Sequence, residues 1–575
     1  MKSSLPSSFT YLNITQFLGA LNDNIFKLLI VFFLINLQGL DKSSAILAKA
    51  GAVFVIPFLL FSTTAGKFAD RFSKRNIIVF SKAMEVAVMA FGIIAFALHN
   101  AETAYITLFL MATQSAIFSP SKYGIIPELV EHEKISQANG LLTTFTFLAI
   151  IIGTFLASFA TDISKKNFVF SASLCTAIAL LGLFTSLHIK YTPPVGKKKR
   201  ITPFFLYEVY KTLQRSRNHN RLFCAILGSA FFLFLGSYLQ LNIIPFSIQS
   251  LKLSEVQGGY LFLITALGIG LGSFLSGRAS GNHVELGLTP IAGLGITISC
   301  FLLYLFENSI YCIIPLIVIT GIFGGIWIVP FDSFIQTSSP KNFRGEMLAT
   351  TNFLSFIGVL CSSGLLYFLS DTLHLKASQG FFIISLLTLT ATLIVTITTL
   401  DYFLRFISSI FSSLFFRLSV SGSENIPPKI PSLIICNYSS FWINTIILTS
   451  IQNPPLHFFI ESEKSQKKWL KKLCSIIRVS LISPQRNLKH RKRVYDTIKS
   501  NLDKGVTVCI FAKLHKDDSD IISAYLSEFQ SFLLNTPYSA IPVHIEEENS
   551  HPKSGKFLDK LKKFPWPVNI SFGLK

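Results

Sequence analysis

One feature constrains this chain more than any other. Through its first 400 residues, apolar runs of roughly 18 to 25 residues follow one another with only short polar interruptions. Each run is long enough to cross a hydrocarbon core as a helix. Water is absent from that layer, so every backbone amide must be satisfied within its own segment, which selects helices. Only 14 % of the 575 residues are charged, against about 25 % in an ordinary soluble domain. Twelve spans are expected, near 11–37, 45–68, 76–98, 103–121, 140–161, 168–189, 222–249, 257–279, 287–306, 309–336, 346–369 and 379–400. The first run is too long and too polar at its centre for a cleaved signal peptide, so it is read as a helix that stays.

The formal charge of +21 does not point to nucleic acid. Many basic residues flank the expected spans, where Lys and Arg hold loops on the cytoplasmic side. The rest concentrate after residue 460, where they suit anionic lipid head groups. No zinc-ligand spacing and no ribonucleoprotein signature accompany them. The eight cysteines are scattered without CxxC spacing, five of them in apolar runs, so neither disulfides nor a metal site is expected. No Walker-type phosphate loop occurs, which argues against ATP-driven transport, and no cofactor is implied.

The spans fall into six plus six. Between the sixth and seventh lies a basic loop carrying Lys190, Lys197, Lys198, Lys199, Arg200, Lys211, Arg215, Arg217 and Arg221. Internally repeated halves of this kind are common in secondary transporters. With both termini inside, the cytoplasmic loops hold about eighteen Lys and Arg against about six outside, so both termini are expected in the cytoplasm.

Inside the first span stand four polar residues: Asn22, Asp23, Asn24 and Lys27. Ionisable groups at membrane depth are costly, so they line a cavity or pair with each other. Asp23 and Lys27 are four apart on one helix face and are placed to pair. Glu85, one turn from Lys82, reads as structural. Asp332, close to Pro330, is a second cavity candidate.

Immediately after the second span, GKFADRFSKR contributes Gly66, Asp70, Arg71 and Arg75. It resembles the G-x-x-x-D-R-x-x-x-R signature of the major facilitator superfamily, which implies a twelve-helix, mainly α fold. In that signature the glycine allows close helix approach, and the Asp and Arg residues pair between neighbouring helices. LGALNDNIFK (18–27), QSAIFSPSKYGIIPELV (114–130), HVELGLTPIAGLG (283–295) and VPFDSFIQTSSPKNFRGEMLATTNFL (329–354) together resemble the bacterial lysophospholipid transporters. That resemblance implies movement of lysophospholipids, chiefly lysophosphatidylethanolamine, across the inner membrane, with membrane lipids as further partners. A zwitterionic head group would then meet Asp23 through its ammonium and Lys27 through its phosphate. The resemblance implies a neutral residue at 332, from which Asp332 departs.

Composition shifts near Asp401. Tyr402 to Leu418 is apolar but interrupted by Arg405 and serines, and reads either as an interfacial helix or as an extension of the last span. The apolar runs PSLIIC, VTVCIF and SAIPVHI then alternate with polar segments such as SEKSQKKWLKKLCSIIR, the pattern of an α/β domain with a partly parallel sheet. Residues 418–548 resemble a glycerolipid acyltransferase domain, whose blocks N-H-x-x-x-x-D and F-P-E-G supply a general base, its orienting carboxylate and a phosphate grip. Here those positions hold Tyr438, Ile443 (with Asn444 next) and, in the second block, Phe511, Ala512, Lys513 and Leu514. A Tyr with an ordinary pKa near 10 is a poor base at neutral pH. The domain is therefore expected to be catalytically inactive. A bifunctional enzyme drawing on acyl-carrier protein or acyl-CoA, and a facilitator of a soluble metabolite, are the alternatives.

Overall fold

The structure, a computed structural model, describes residues 5–39, 42–194, 205–217, 219–281, 283–422, 431–437, 456–461, 479–482, 488–503, 506–512, 538–547 and 566–572. The chain divides into two compact units, Met1–Thr398 and Thr399–Lys575.

The first unit is helical. Its first half contains α1 (Ser7–Gln38), α2 (Ser43–Arg71), α3 (Lys74–Ala97), α4 (Ala101–Gly124), the short α5 (Ile126–Leu129), α6 (Ile135–Ile163) and α7 (Phe168–Leu187). A loop helix, α8 (Phe205–Arg217), precedes the second half: α9 (Asn220–Gln249), α10 (Glu255–Ala279), α11 (Leu288–Leu305), α12 (Ile310–Ser338), α13 (Arg344–Tyr367) and α14 (Ala377–Thr398). Local sequence sets several boundaries. Ser73 caps α3 by accepting from the Asn76 amide, Asn100 caps α4, and Ser254 with Gln257 forms a full capping box on α10.

Eleven of these helices are long and apolar enough to cross a membrane. The exception among the twelve expected is α4. It has the length, at 24 residues, but Thr113, Gln114, Ser115, Ser119, Ser121 and Lys122 dilute its apolar character. It packs against α2, α3 and α1, and its polar residues serve the interior.

The two halves meet along α2 with α13 and along α6 with α10. Small residues allow the approach, since lipid is as apolar as any side chain and association depends on close packing. A Cβ on Gly66 would lie 2.5 Å from Ala349 Cβ and 2.6 Å from Gly345 O. One on Gly140 would lie 2.7 Å from Ser273 O and 2.9 Å from Gly277 Cα.

The second unit opens with α15 (Leu400–Phe415), which is a separate helix and not a continuation of α14, because Thr399 leaves helical geometry at φ −114°, ψ 23°. It is also shorter than the apolar stretch suggests: Phe416 begins β1 (Phe416–Ser421). Six further strands follow: β2 (Ser432–Asn437), β3 (His457–Glu461), β4 (Val479–Ile482), β5 (Val508–Ala512), β6 (Ser539–Glu547) and β7 (Trp566–Phe572). They form one sheet in the order β1-β7-β6-β2-β5-β3-β4, parallel throughout except β6 with β7. Among the described residues one further helix, α16 (Leu488–Asp503), buries Ile498 and Leu502 with Leu433, Phe459 and Val508. The basic segment around 462–478 lies outside the described residues.

Candidate functional site

The polar centre of α1 resolves into two layers. Asn22 donates to Glu85 Oε1 at 3.0 Å, Lys82 donates to Glu85 Oε2 at 2.5 Å, and Gln114 reaches the same oxygen at 3.5 Å. All four side chains are buried, so this network pins α1, α3 and α4 together. Glu85, read from the sequence as structural, is here a buried tie between three helices.

The second layer is only half-buried and contains Asp23, Lys27, Ser115, Lys122 and Asp332. Asp23 accepts a 2.6 Å hydrogen bond from Ser115 on α4. The pairing of Asp23 with Lys27 expected from their spacing does not occur. Lys27 instead places its ammonium 4.6 Å from the centre of the Phe54 ring on α2. The physical reason is competition: α4 offers Asp23 a hydroxyl donor, while α2 offers Lys27 an aromatic face. Asn24 turns back onto its own helix, donating to Ala20 O at 2.7 Å, and is not brought into this group.

Asp332 accepts from Ser229 on α9 at 2.9 Å. Lys122 is within electrostatic reach of Asp23 on α1 and Asp332 on α12, and also of Lys82 on α3. Its ammonium also sits 4.7 Å from the Tyr123 ring. One cation is thus electrostatically coupled to carboxylates from both halves of the molecule. Sequence reasoning singled out both carboxylates but missed Lys122 and Ser115. Their signal was there: the two lie seven residues apart in 114–130, which places them on one face of α4.

The 66–75 segment does different work. Asp70 accepts the Gly345 amide at 2.6 Å and the Glu346 amide at 3.1 Å, so its carboxylate sits on the N-terminus of α13 in the opposite half. Arg75 donates to the carbonyls of Leu187 at 2.9 Å and Ile189 at 3.3 Å, fixing α3 to the end of α7. Arg71 lies against Phe72, 5.2 Å from its ring centre. Asp70 and Arg75 thus engage backbone groups of distant segments.

Further contacts join the halves at this same end. Phe58 stacks on Phe356 at 4.0 Å, Asn352 donates to Ser62 at 3.2 Å, and Asn139 exchanges bonds of 3.0 and 2.9 Å with Gln336. Loop helix α8 adds ion pairs to each side, Lys67–Glu208 at 3.1 Å and Arg215–Glu346 at 3.3 Å. The end of the bundle carrying 66–75 is closed.

In the second unit, parallel pairing sets Asn437, the last residue of β2, beside Ala512, the last of β5. Both strands therefore end at the same, carboxyl, end of the sheet, which is where α/β sheets place their sites. Tyr438, Ile443, Asn444, Lys513 and Leu514 lie outside the described residues. Burial pushes the Cys436 thiol up to about 12 and Cys509 well above its ordinary value, so neither is a nucleophile at neutral pH. Among the described residues no cluster of His, Cys, Asp and Glu is arranged to hold a metal ion.

Residues 12–363 match the profile of the Major Facilitator Superfamily. The chain belongs to that superfamily. Within it, the Lysophospholipid transporter LplT of Klebsiella pneumoniae (strain 342) is 26 % identical over 358 residues, covering 61 % of this chain and 85 % of the relative. The protein of the same name from Photorhabdus laumondii is 25 % identical over 360 residues, covering 61 % and 86 %. Among solved structures, the Escherichia coli fucose:proton symporter FucP in the outward conformation superposes with a TM-score of 0.57 at 14 % identity, covering 68 % of this chain and 98 % of that one. The human organic anion transporter MFSD10 gives 0.55 at 15 %, covering 67 % and 99 %. These structures share the facilitator fold. This facilitator is a multi-pass membrane protein with transporters of lysophospholipids among its homologues.

Proposed function

We propose that this facilitator carries lysophospholipids between the leaflets of a bacterial inner membrane, binding a zwitterionic head group such as that of lysophosphatidylethanolamine. The observation that carries this reading is the half-buried group of Asp23, Lys122 and Asp332, in which Lys122 is electrostatically coupled to both carboxylates. A phosphate matches the ammonium of Lys122, and a primary ammonium matches either carboxylate. Asp23 and Asp332 stand on opposite halves, so a bound head group bridges the two bodies that must rock for access to alternate. The printed names of the relatives point to the same substrate class.

Loop charge puts the 66–75 end and both termini in the cytoplasm. The closed end then faces inward, and on this reading the head group enters from the outer side, where an imported lysolipid starts. The second unit, on this reading, handles lipid without transferring acyl chains, because Tyr438, Ile443 and the 511–514 block lack the base, the carboxylate and the F-P-E-G turn. Reconstituted vesicles with labelled lysophosphatidylethanolamine in one leaflet provide the test. Protein-dependent leaflet exchange that Asp23→Ala and Lys122→Gln both abolish is expected. Uptake of soluble solutes with no lipid exchange would overturn the proposal.

A further inference from the structure

Helix α15 is built inside out for a water-soluble domain. Leu400, Phe403, Leu404, Ile407, Ile410, Phe411 and Leu414 recur at spacings of three and four and form one apolar stripe. Asp401, Arg405, Ser408, Ser409 and Ser412 occupy the opposite face. In a soluble domain the stripe packs inward. Here Arg405 and Ser412 are the buried residues, while Ile407, Ile410, Phe411 and Leu414 are 42, 39, 41 and 59 % exposed. A stripe of this kind needs an apolar medium against it.

We infer that α15 lies in the plane of the membrane interface, with Ile407, Ile410, Phe411 and Leu414 sunk into the boundary between head groups and acyl chains. Chain connectivity selects lipid over other occupants. Only Thr399 separates the end of α14, a membrane-spanning helix, from Leu400. One residue reaches about 3.8 Å, so α15 must start where a span leaves the bilayer. A lipid surface is therefore the first apolar phase available to the stripe. An amphipathic helix with a serine-rich polar face and large apolar residues opposite is suited to that position.

The consequence reaches the sheet. Phe415 ends α15 and Phe416 begins β1 with no residue between them, and β1 is an edge strand. Anchoring α15 therefore ties β1, the strand that follows it, to the bilayer surface. This holds whether or not the transported molecule is a lysophospholipid.

The test uses the full chain in vesicles and two tryptophan substitutions, each read as the emission added over the parent protein. Phe411→Trp places a probe on the stripe and Ser409→Trp one on the polar face. We expect the Phe411→Trp signal to be blue-shifted, quenched at least twofold by lipids brominated in their acyl chains, and insensitive to aqueous acrylamide. Ser409→Trp should show no quenching by the brominated chains. Quenching of Phe411→Trp by acrylamide would place the stripe in water and overturn the inference. Protection from both quenchers would show it covered by protein, either this chain or a second copy, and would overturn it equally. Neither readout depends on transport, so failure here is distinct from failure of the substrate assignment.

Discussion

Asp70→Ala is the substitution whose effect can be worked most directly from the geometry. Its carboxylate accepts two backbone amides of α13, at 2.6 and 3.1 Å, from a buried position at the seam between the halves. Hydrogen bonds to a charged group contribute about 1.5 to 3 kcal/mol each. A side-chain cap and its favourable position at a helix N-terminus contribute about 0.5 to 2 kcal/mol as a whole. The two accounts overlap, and water replaces part of the loss once the end opens, so a net cost of about 3 kcal/mol to the closed state is reasonable. At about 1.4 kcal/mol per tenfold, that shifts the closed-to-open ratio on the order of a hundredfold. A population at 99:1 closed would move to about even. Spin labels at positions 72 and 341, in a background with the native cysteines replaced, would read the separation of α2 and α13 in vesicles. A second, longer distance should appear in Asp70→Ala. In Asp70→Asn, whose one carbonyl oxygen can replace only one of the two acceptors while its NH2 faces the other amide donor, the longer distance should also appear. A single unchanged distance in Asp70→Ala would refute the idea that this carboxylate holds the end shut.

Gly66→Ala should act in the same direction, because its new Cβ would lie 2.5 Å from Ala349 Cβ; unaltered distances and rates would mean the seam has slack. Asp23→Ala should abolish lipid exchange while leaving the yield of membrane-inserted protein intact, since Ser115 is its partner and Lys27 rests on Phe54; wild-type rates would remove Asp23 from the mechanism. Glu85→Ala, in contrast, strands the buried Lys82 ammonium, at a cost of about 3 to 5 kcal/mol, and should appear as a lowered melting temperature and reduced yield. A normal melting curve for that variant would contradict the structural role of the pair. Purified full-length protein given labelled lysolipid with acyl-CoA or acyl-carrier protein should transfer no acyl chain above a no-enzyme control. Turnover by the wild-type sequence would end the inactive reading of Tyr438 and Ile443.

By itself the sequence determined that this chain spans a membrane many times, because hydrocarbon tolerates no unsatisfied backbone and the apolar runs have the length of a bilayer. Span positions were legible for the same reason, α4 included, although its polar lining leaves it outside the eleven most apolar helices. Gly66 and Asp70 were legible as a pair through their spacing. Which atoms Asp70 meets was not, since Gly345 lies 275 residues away and backbone amides leave no signature in a sequence. Local spacing also misdirected: it set Asp23 against Lys27, whereas Ser115 and Phe54, brought from two other helices, divided the pair. Lys122 is coupled to both Asp23 and Asp332 only because the fold brings α1, α4 and α12 together. The same holds for α15, whose amphipathic pattern is plain in the sequence, while only the structure reveals that Arg405 and Ser412 are its buried residues and Ile407, Ile410, Phe411 and Leu414 are exposed. Periodicity reports which residues share a face; what that face meets is decided by contacts between segments far apart in the chain.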